Sequence, residues 1–246
     1  MEPLQELLID FELHSVEGIR QKLANGIDPN GKVNGKPLFS DLVNMYTRGP
    51  RFKECVKAFV DHGLVIEDEA LLAVLQDDET VLKSLISQDP SLINKRYTLS
   101  STFTPLRESS LLHICVEYNH LQCAKVLVEA GIDINIRAGT DDKGFGAHSP
   151  VFHAVNQHDN HNIECLKFLL DKKADLSITV KGLIWGEGYE WETFIPSVNP
   201  ISYSMMGLLR QFQRKEEKIY EVVSLLMKAQ YGLDYLPPNI PNKYLQ

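Results

Sequence analysis

The residues best suited to chemistry lie close together in the second half of the chain. His148, His153, His158, His161 and Cys165 fall within 18 residues, with Asp159 and Glu164 among them. Imidazole, thiolate and carboxylate are the ligands that zinc accepts, so the residue types suit a metal site or a hydrolytic centre. The spacing suits it less well. Neither His-Glu-x-x-His nor paired Cys-x-x-Cys occurs, and "QHDNHN" (157–162) reads as a polar loop between antiparallel helices. In that reading His148 precedes a helix and His153 lies within it. His158 and His161 occupy the loop, and Cys165 takes a core position on the next helix. A second pair, His113 and Cys115, is two residues apart on a helix and points in different directions. No Gly-x-Ser-x-Gly, Walker or dinucleotide-binding signature is present. No cofactor, bound metal or enzymatic role is expected. A metal-dependent or hydrolytic activity around 148–165 stands as the alternative.

The elements that must position these residues recur along the chain. "GIDPN" (26–30), "GIDIN" (131–135) and "KADLS" (173–177) each follow a helical stretch: "SVEGIRQKLAN", "LQCAKVLVEA" and "NIECLKFLLDK". "GLVIE" (63–67) and a looser "PSLIN" (90–94) align with them. Upstream stand helix starts of another kind: "KPLF" (36–39), "SLLH" (110–113), "SPVF" (149–152) and "NPIS" (199–202). Each unit reads as turn, helix, tight loop, helix and glycine stop. Ser149 and Asn199 are candidate N-caps. Pro37, Pro150 and Pro200 suit the first helical position, where a missing N–H is harmless. Cys123, Ala124, Val126, Leu127 and Val128 form an apolar face that another helix must cover. Gly26, Gly63 and Gly131 sit where the helix stops and φ must turn positive. So short a helix pair cannot bury its apolar face alone, and consecutive units must stack.

At this point the chain resembles the ankyrin repeat family. The family pattern of Thr-Pro-Leu-His, two helices and Gly-Ala-Asp-Val-Asn is matched best by "SLLHICVEYNHLQCAKVLVEAGIDIN" (110–135), and next by 149–177 with extra residues between its helices. The resemblance implies an all-α solenoid of about six helix-pair units in a single domain over 1–246. Its parts are an N-terminal cap unit (4–35), central repeats (36–198), a C-terminal cap unit (199–236) and an irregular tail (237–246). The segment 182–229 is similar to the terminal part of some free-standing bacterial ankyrin proteins. The resemblance also implies that His113 is structural, bonding to neighbouring turns. Lys173 stands where the family has glycine, so it either takes a positive φ or the helix ends differently.

The period is longer than the family's ~33 residues: Asn94 to Asn135 is 41 residues and Asn135 to Ser177 is 42. The excess falls in the connections 95–109, 136–148 and 178–198, which in this family are β-hairpin fingers. "VKGLIWGEGYEWETFIPSV" (180–198) holds both tryptophans. With Gly186-Glu187-Gly188 as a three-residue turn, Leu183, Trp185, Tyr189 and Trp191 share one face, opposite Ile184, Glu190, Glu192 and Phe194. That aromatic face either packs on the neighbouring connection, which offers Phe145, or stays exposed as a binding anchor.

Composition narrows the class further. Hydrophobic residues make up 43% and charged residues 24%, an ordinary globular balance. A net charge of −8 argues against a nucleic-acid backbone as ligand. No membrane partner is expected, because no stretch approaches the ~18 apolar residues of a membrane span. The N-terminal stretch lacks the basic start and apolar run of a signal peptide. Four scattered cysteines do not read as a disulfide framework, so the cytoplasm is the expected compartment, with a secreted effector as the other option. "RQFQRKEEK" (210–218) reads as a solvated helix face or an extended loop. The expected function is protein–protein recognition by a monomer, through finger loops and a concave helix face. Tyr97, Phe103, Phe145, Trp185, Tyr189 and Trp191 are the candidate contacts, with Arg107 and Arg137 at the rim. A purely structural or self-assembling role is the remaining alternative.

Overall fold

The computed structural model describes residues 3–101, 104–181, 197–205 and 214–234. Helices dominate and pack in two rows. α1 (Pro3–Glu12) pairs with α2 (Val16–Ala24), α5 (Glu69–Leu75) with α6 (Glu79–Gln88), and α7 (Leu111–Glu117) with α8 (Leu121–Glu129). α9 (Phe152–Val155) pairs with α10 (Ile163–Asp171), and α11 (Pro200–Met205) with α12 (Glu216–Tyr231). The first helices also pack along their own row, α5 on α7, α7 on α9 and α9 on α11. The second helices do the same, α6 on α8, α8 on α10 and α10 on α12. Near the N-terminus α3 (Leu38–Asn44) lies on α1, and α4 (Phe52–Asp61) on α2. The short amphipathic helices therefore bury their stripes against neighbouring units, and one apolar cluster runs from Leu7 to Leu226.

The turn chemistry explains the repeat motif. Gly26, Gly63 and Gly131 have φ of 101°, 91° and 94°, the left-handed conformation that closes the second helix of a unit. Lys173 takes the equivalent position at φ 63°, the first of its two expected outcomes. After the glycine, Asp28 Oδ1 accepts from Asn30 N at 2.9 Å, and Asp133 Oδ1 from Asn135 N at 2.9 Å. The asparagine then reaches the next unit. Asn30 Nδ2 donates to Gly63 O at 2.9 Å, and Asn135 Oδ1 accepts from Asp175 N at 2.8 Å. The recurring Asp-x-Asn thus ties successive turns together.

Short strands join the units. β1 (Lys32–Val33) pairs antiparallel with β2 (Lys36–Pro37), β3 (Tyr97–Leu99) with β4 (Leu106–Ser109), and β5 (Val180–Lys181) with β6 (Ser197–Val198). Asn34 and Gly35, with φ of 51° and 79°, make the two-residue turn of the first pair.

Several local expectations need correction. Pro200 opens α11, and Asn199 Oδ1 accepts from Ser202 N at 2.9 Å as a cap. Pro37, by contrast, ends β2 and stands just before α3. Ser149 does not cap, for its buried hydroxyl has no hydrogen-bond partner among the described residues. The N–H groups of Phe152, His153 and Ala154 reach only three residues back, so the chain enters α9 through a tight turn, and Pro150 lies before the helix. Arg214 is no solvated side chain either. Its guanidinium donates to Asn156 Oδ1 (3.1 Å), Ser204 O (2.9 Å) and Asn160 Oδ1 (3.1 Å), locking the start of the last helix to the α9–α10 loop.

Candidate functional site

A main-chain hydrogen bond joins the connection that ends at Ser109 to the connection 137–148: Gly139 N donates to Arg107 O at 3.0 Å. Within the second connection Ala138 N donates to His148 O at 2.9 Å. Arg96 Nη1 reinforces the seam by donating to Arg137 O at 2.6 Å. Gly146 N reaches Lys181 O on the third connection at 3.5 Å. Two glycines make this closeness possible. A Cβ on Gly139 would lie 2.5 Å from Glu108 Cβ, and one on Gly146 would lie 2.6 Å from Gly139 O. Between them, Asp141 Oδ1 accepts from the backbone of Lys143 (2.9 Å) and Phe145 (2.8 Å), which sets the bend at the tip.

On this row Arg107 and Arg137 are exposed and Phe145 is half-buried. Arg137 Nε also donates to Ala147 O, so its side chain lies along its own connection. Tyr97 differs from expectation. Only 8% of it is exposed, its hydroxyl donates to Asp68 Oδ1 at 3.3 Å, and Lys95 Nζ stands 5.7 Å from its ring centre. It anchors the connection to α5 and offers no docking surface. Phe103, Trp185, Tyr189 and Trp191 lie outside the described residues.

The histidines divide between a buried network and a loop. His113 Nδ1 accepts from Ser110 N at 3.2 Å, so its other nitrogen carries the proton and donates to His148 O at 3.1 Å. This is the link between turns expected of His113. His153 Nδ1 donates to Glu117 Oε2 at 2.8 Å, and its Nε2 lies 3.1 Å from His148 Nε2. Gln157 Nε2 donates to the same Glu117 oxygen at 3.2 Å, and Arg48 Nε donates to Glu117 Oε1 at 2.9 Å. Burial alone would raise the Glu117 carboxyl, but the Arg48 guanidinium and the His153 ring outweigh it and hold the group below its usual range. Burial, with the neighbouring His153, pushes His113 and His148 well below theirs, so both are neutral near pH 7.

All of these side chains except Arg48 are 0–1% exposed, and Arg48 is 4% exposed. The cluster is a polar clamp inside the helix stack. His161 lies in the α9–α10 loop, and Cys165 is buried on α10 with burial raising its thiol. The backbone of His158 lies in a short 3₁₀ turn of that loop. Among the described residues no three His, Cys, Asp or Glu side chains converge as metal ligands. Neither Arg48 nor Glu117 stood out in the sequence. Their one signal is an acid closing the largely apolar run "LLHICVE".

The family model for ankyrin repeats (3 copies) matches residues 70–180. Among solved structures, the ankyrin repeat domain of human ASB11 aligns over 96% of this chain and 86% of its own, with 13% identity and a TM-score of 0.40. No curated protein matches the chain in sequence. Among the described residues no helix is long and apolar enough to cross a membrane.

Proposed function

Because the chain is an ankyrin-repeat protein, we propose that it is a protein–protein interaction module that docks its partner on the row of finger connections and the adjoining concave helix face. Ankyrin repeats generally serve protein–protein recognition, and the finer assignment is our own. The observation that carries it is the hydrogen-bonded seam between Arg107 and Gly139, which holds two exposed guanidiniums and a half-buried phenylalanine on one frame. A surface fixed before binding loses little ordering entropy when a partner arrives. Arginine and aromatic side chains are the types that dominate interface energetics. We assign the docking role to Arg107, Arg137 and Phe145, together with Phe103, Trp185, Tyr189 and Trp191.

The same reading takes the chain as about six helix-pair units with long β-hairpin fingers, capped at 4–35 and 199–236 around central repeats at 36–198. It describes a monomeric, non-enzymatic protein of the cytoplasm. The net charge of −8 disfavours a nucleic-acid partner. Affinity capture from cell extract tests the proposal. Trp185→Ala with Tyr189→Ala, and separately Arg107→Ala with Arg137→Ala, should each reduce the retained protein while leaving the melting temperature unchanged. Equal retention by the parent and both double variants would refute docking on the fingers.

A further inference from the structure

An open groove of about 460 Å³ lies at the N-terminal end of the stack. α1 supplies Leu8, Ile9 and Glu12, while α3 and the residues after it supply Asp41, Met45 and Tyr46. The first hairpin also borders it. The groove shares no residue with the finger site at Arg107, Arg137 and Phe145. Leu7 and Phe11 carry the main stripe of α1 into the core, and both are fully buried. A terminal unit in a stacked array needs a polar outer face, because no further unit covers it. α1 departs from that rule. Its Ile9 is 43% exposed, and Tyr46 in the same groove is 50% exposed.

Charge narrows what can cover this surface. Glu12 and Asp41 line the groove, and no lysine or arginine does. Glu12 accepts from the Tyr46 hydroxyl, which ties α1 to the chain after α3. Asp41 makes no side-chain hydrogen bond or ion pair among the described residues. Burial raises its carboxyl despite the pull of Lys36 on the hairpin, so the charge has lost water without gaining a close cation. α1 is itself acidic. Glu6 and Asp10 share Lys22 of α2, and no basic residue occurs within the helix. A helix that lies on a membrane carries lysine and arginine on its polar side to meet anionic lipid, and α1 has neither. A second copy of this chain, with its net charge of −8, would bring more charge of the same sign. Charge complementarity therefore favours a cationic partner with an apolar side.

We propose that this groove docks a basic amphipathic segment of a partner protein, seating an aliphatic side chain against Leu8, Ile9 and Tyr46 and a lysine or arginine on Asp41 and Glu12. The apolar walls shield such a pair from water and so strengthen it over one on open surface. Docking here extends the proposed protein-recognition role to a second surface, and it stands or falls separately from the fingers.

The test is fluorescence anisotropy of the full chain with a labelled amphipathic peptide of leucine and lysine. The controls are the same peptide with glutamate in place of lysine, or serine in place of leucine. Saturable binding of the leucine–lysine peptide is expected, about tenfold or more tighter than either control. Ile9→Ser with Tyr46→Ser should weaken it about tenfold or more. Asp41→Lys should weaken it about as much, by setting like charges together. Asp41→Glu, the remote Glu129→Lys, and Arg107→Ala with Arg137→Ala should each retain it. Melting temperatures separate lost binding from misfolding. No saturable binding, or equal weakening by Asp41→Lys and Glu129→Lys, would overturn the proposal, the latter by reducing the attraction to net charge. So would a dimer of the parent chain, or its capture by anionic vesicles, that Ile9→Ser with Tyr46→Ser abolishes. Peptide binding lost in the finger variant but intact in the groove variants would overturn it too, while leaving docking on the fingers in place.

Discussion

Arg48 Nε and Glu117 Oε1 are 2.9 Å apart, 69 residues apart in sequence, and both side chains are closed off from solvent. The contact joins the loop after α3 to the end of α7. Lys53 and Asp77 add a second link beside it at 3.3 Å. Removing one member of a buried pair strands the other charge in an apolar medium. Glu117→Gln should therefore cost about 3–5 kcal/mol of stability. A double variant, Arg48→Met with Glu117→Gln, should recover part of that loss, because no unpaired charge remains. Urea denaturation of the three proteins measures both effects. If the double variant is less stable than Glu117→Gln alone, the guanidinium is holding the loop by more than its pairing with Glu117.

The seam between the connections makes a separate demand on Gly139. Its N–H serves Arg107 O, and there is no room for a methyl group beside Glu108. Gly139→Ala should destabilise the chain by about 1–3 kcal/mol and open the connections to protease before the helices unfold. Limited proteolysis at native temperature, read by the earliest cleavage site, decides the matter. First cleavage outside 95–109 and 136–148 would mean that the seam is not the weak point.

Lys173 occupies a backbone conformation that glycine adopts without strain. Its N–H donates to Leu170 O at 3.0 Å and that of Ala174 to Leu169 O at 2.9 Å, so the turn is closed in the same manner as at Gly131. Replacement by glycine removes the side-chain clash at φ 63° but adds freedom to the unfolded chain. The net gain should be up to about 1 kcal/mol, or about 2–4 °C in melting temperature. An unchanged or lower melting temperature for Lys173→Gly would show that the lysine carries no strain there.

The glycine stops, the Asp-x-Asn turns and the structural role of His113 were legible because each is a local backbone requirement met by one residue type. Ser149 misled for the opposite reason. Whether a serine caps depends on the three-residue-back hydrogen bonds that follow it, and those leave no sequence mark. At the candidate site, the exposure of Arg107 and Arg137 could be anticipated from charge alone. The burial of Tyr97 could not, because its face is set by pairing with Ser109 across an irregular register. The groove was invisible too, since it forms only where α1, the first hairpin and α3 meet.

Acid should loosen the stack well before its carboxylates titrate. His14 and His120 are held at about 4, chiefly by burial, against an ordinary 6.5. Arg48 and Arg51 add to the effect at His14. A ring that takes up its proton more readily unfolded than folded makes stability rise with pH. Each contribution is complete above about 6.5 and is lost as the pH falls from there through about 4, at roughly 1.4 kcal/mol per unit per ring. Below that, Glu117 extends the decline. Its carboxyl is depressed in the folded chain, so its share is present above the unfolded carboxylate value and disappears as pH drops through the lower folded one. Denaturation midpoints should be flat above pH 7 and fall between 6.5 and 4. The double variant His14→Gln, His120→Gln should show a shallower fall over the same interval, whatever its stability at pH 7. Parallel curves for parent and variant would mean that other groups carry the pH dependence.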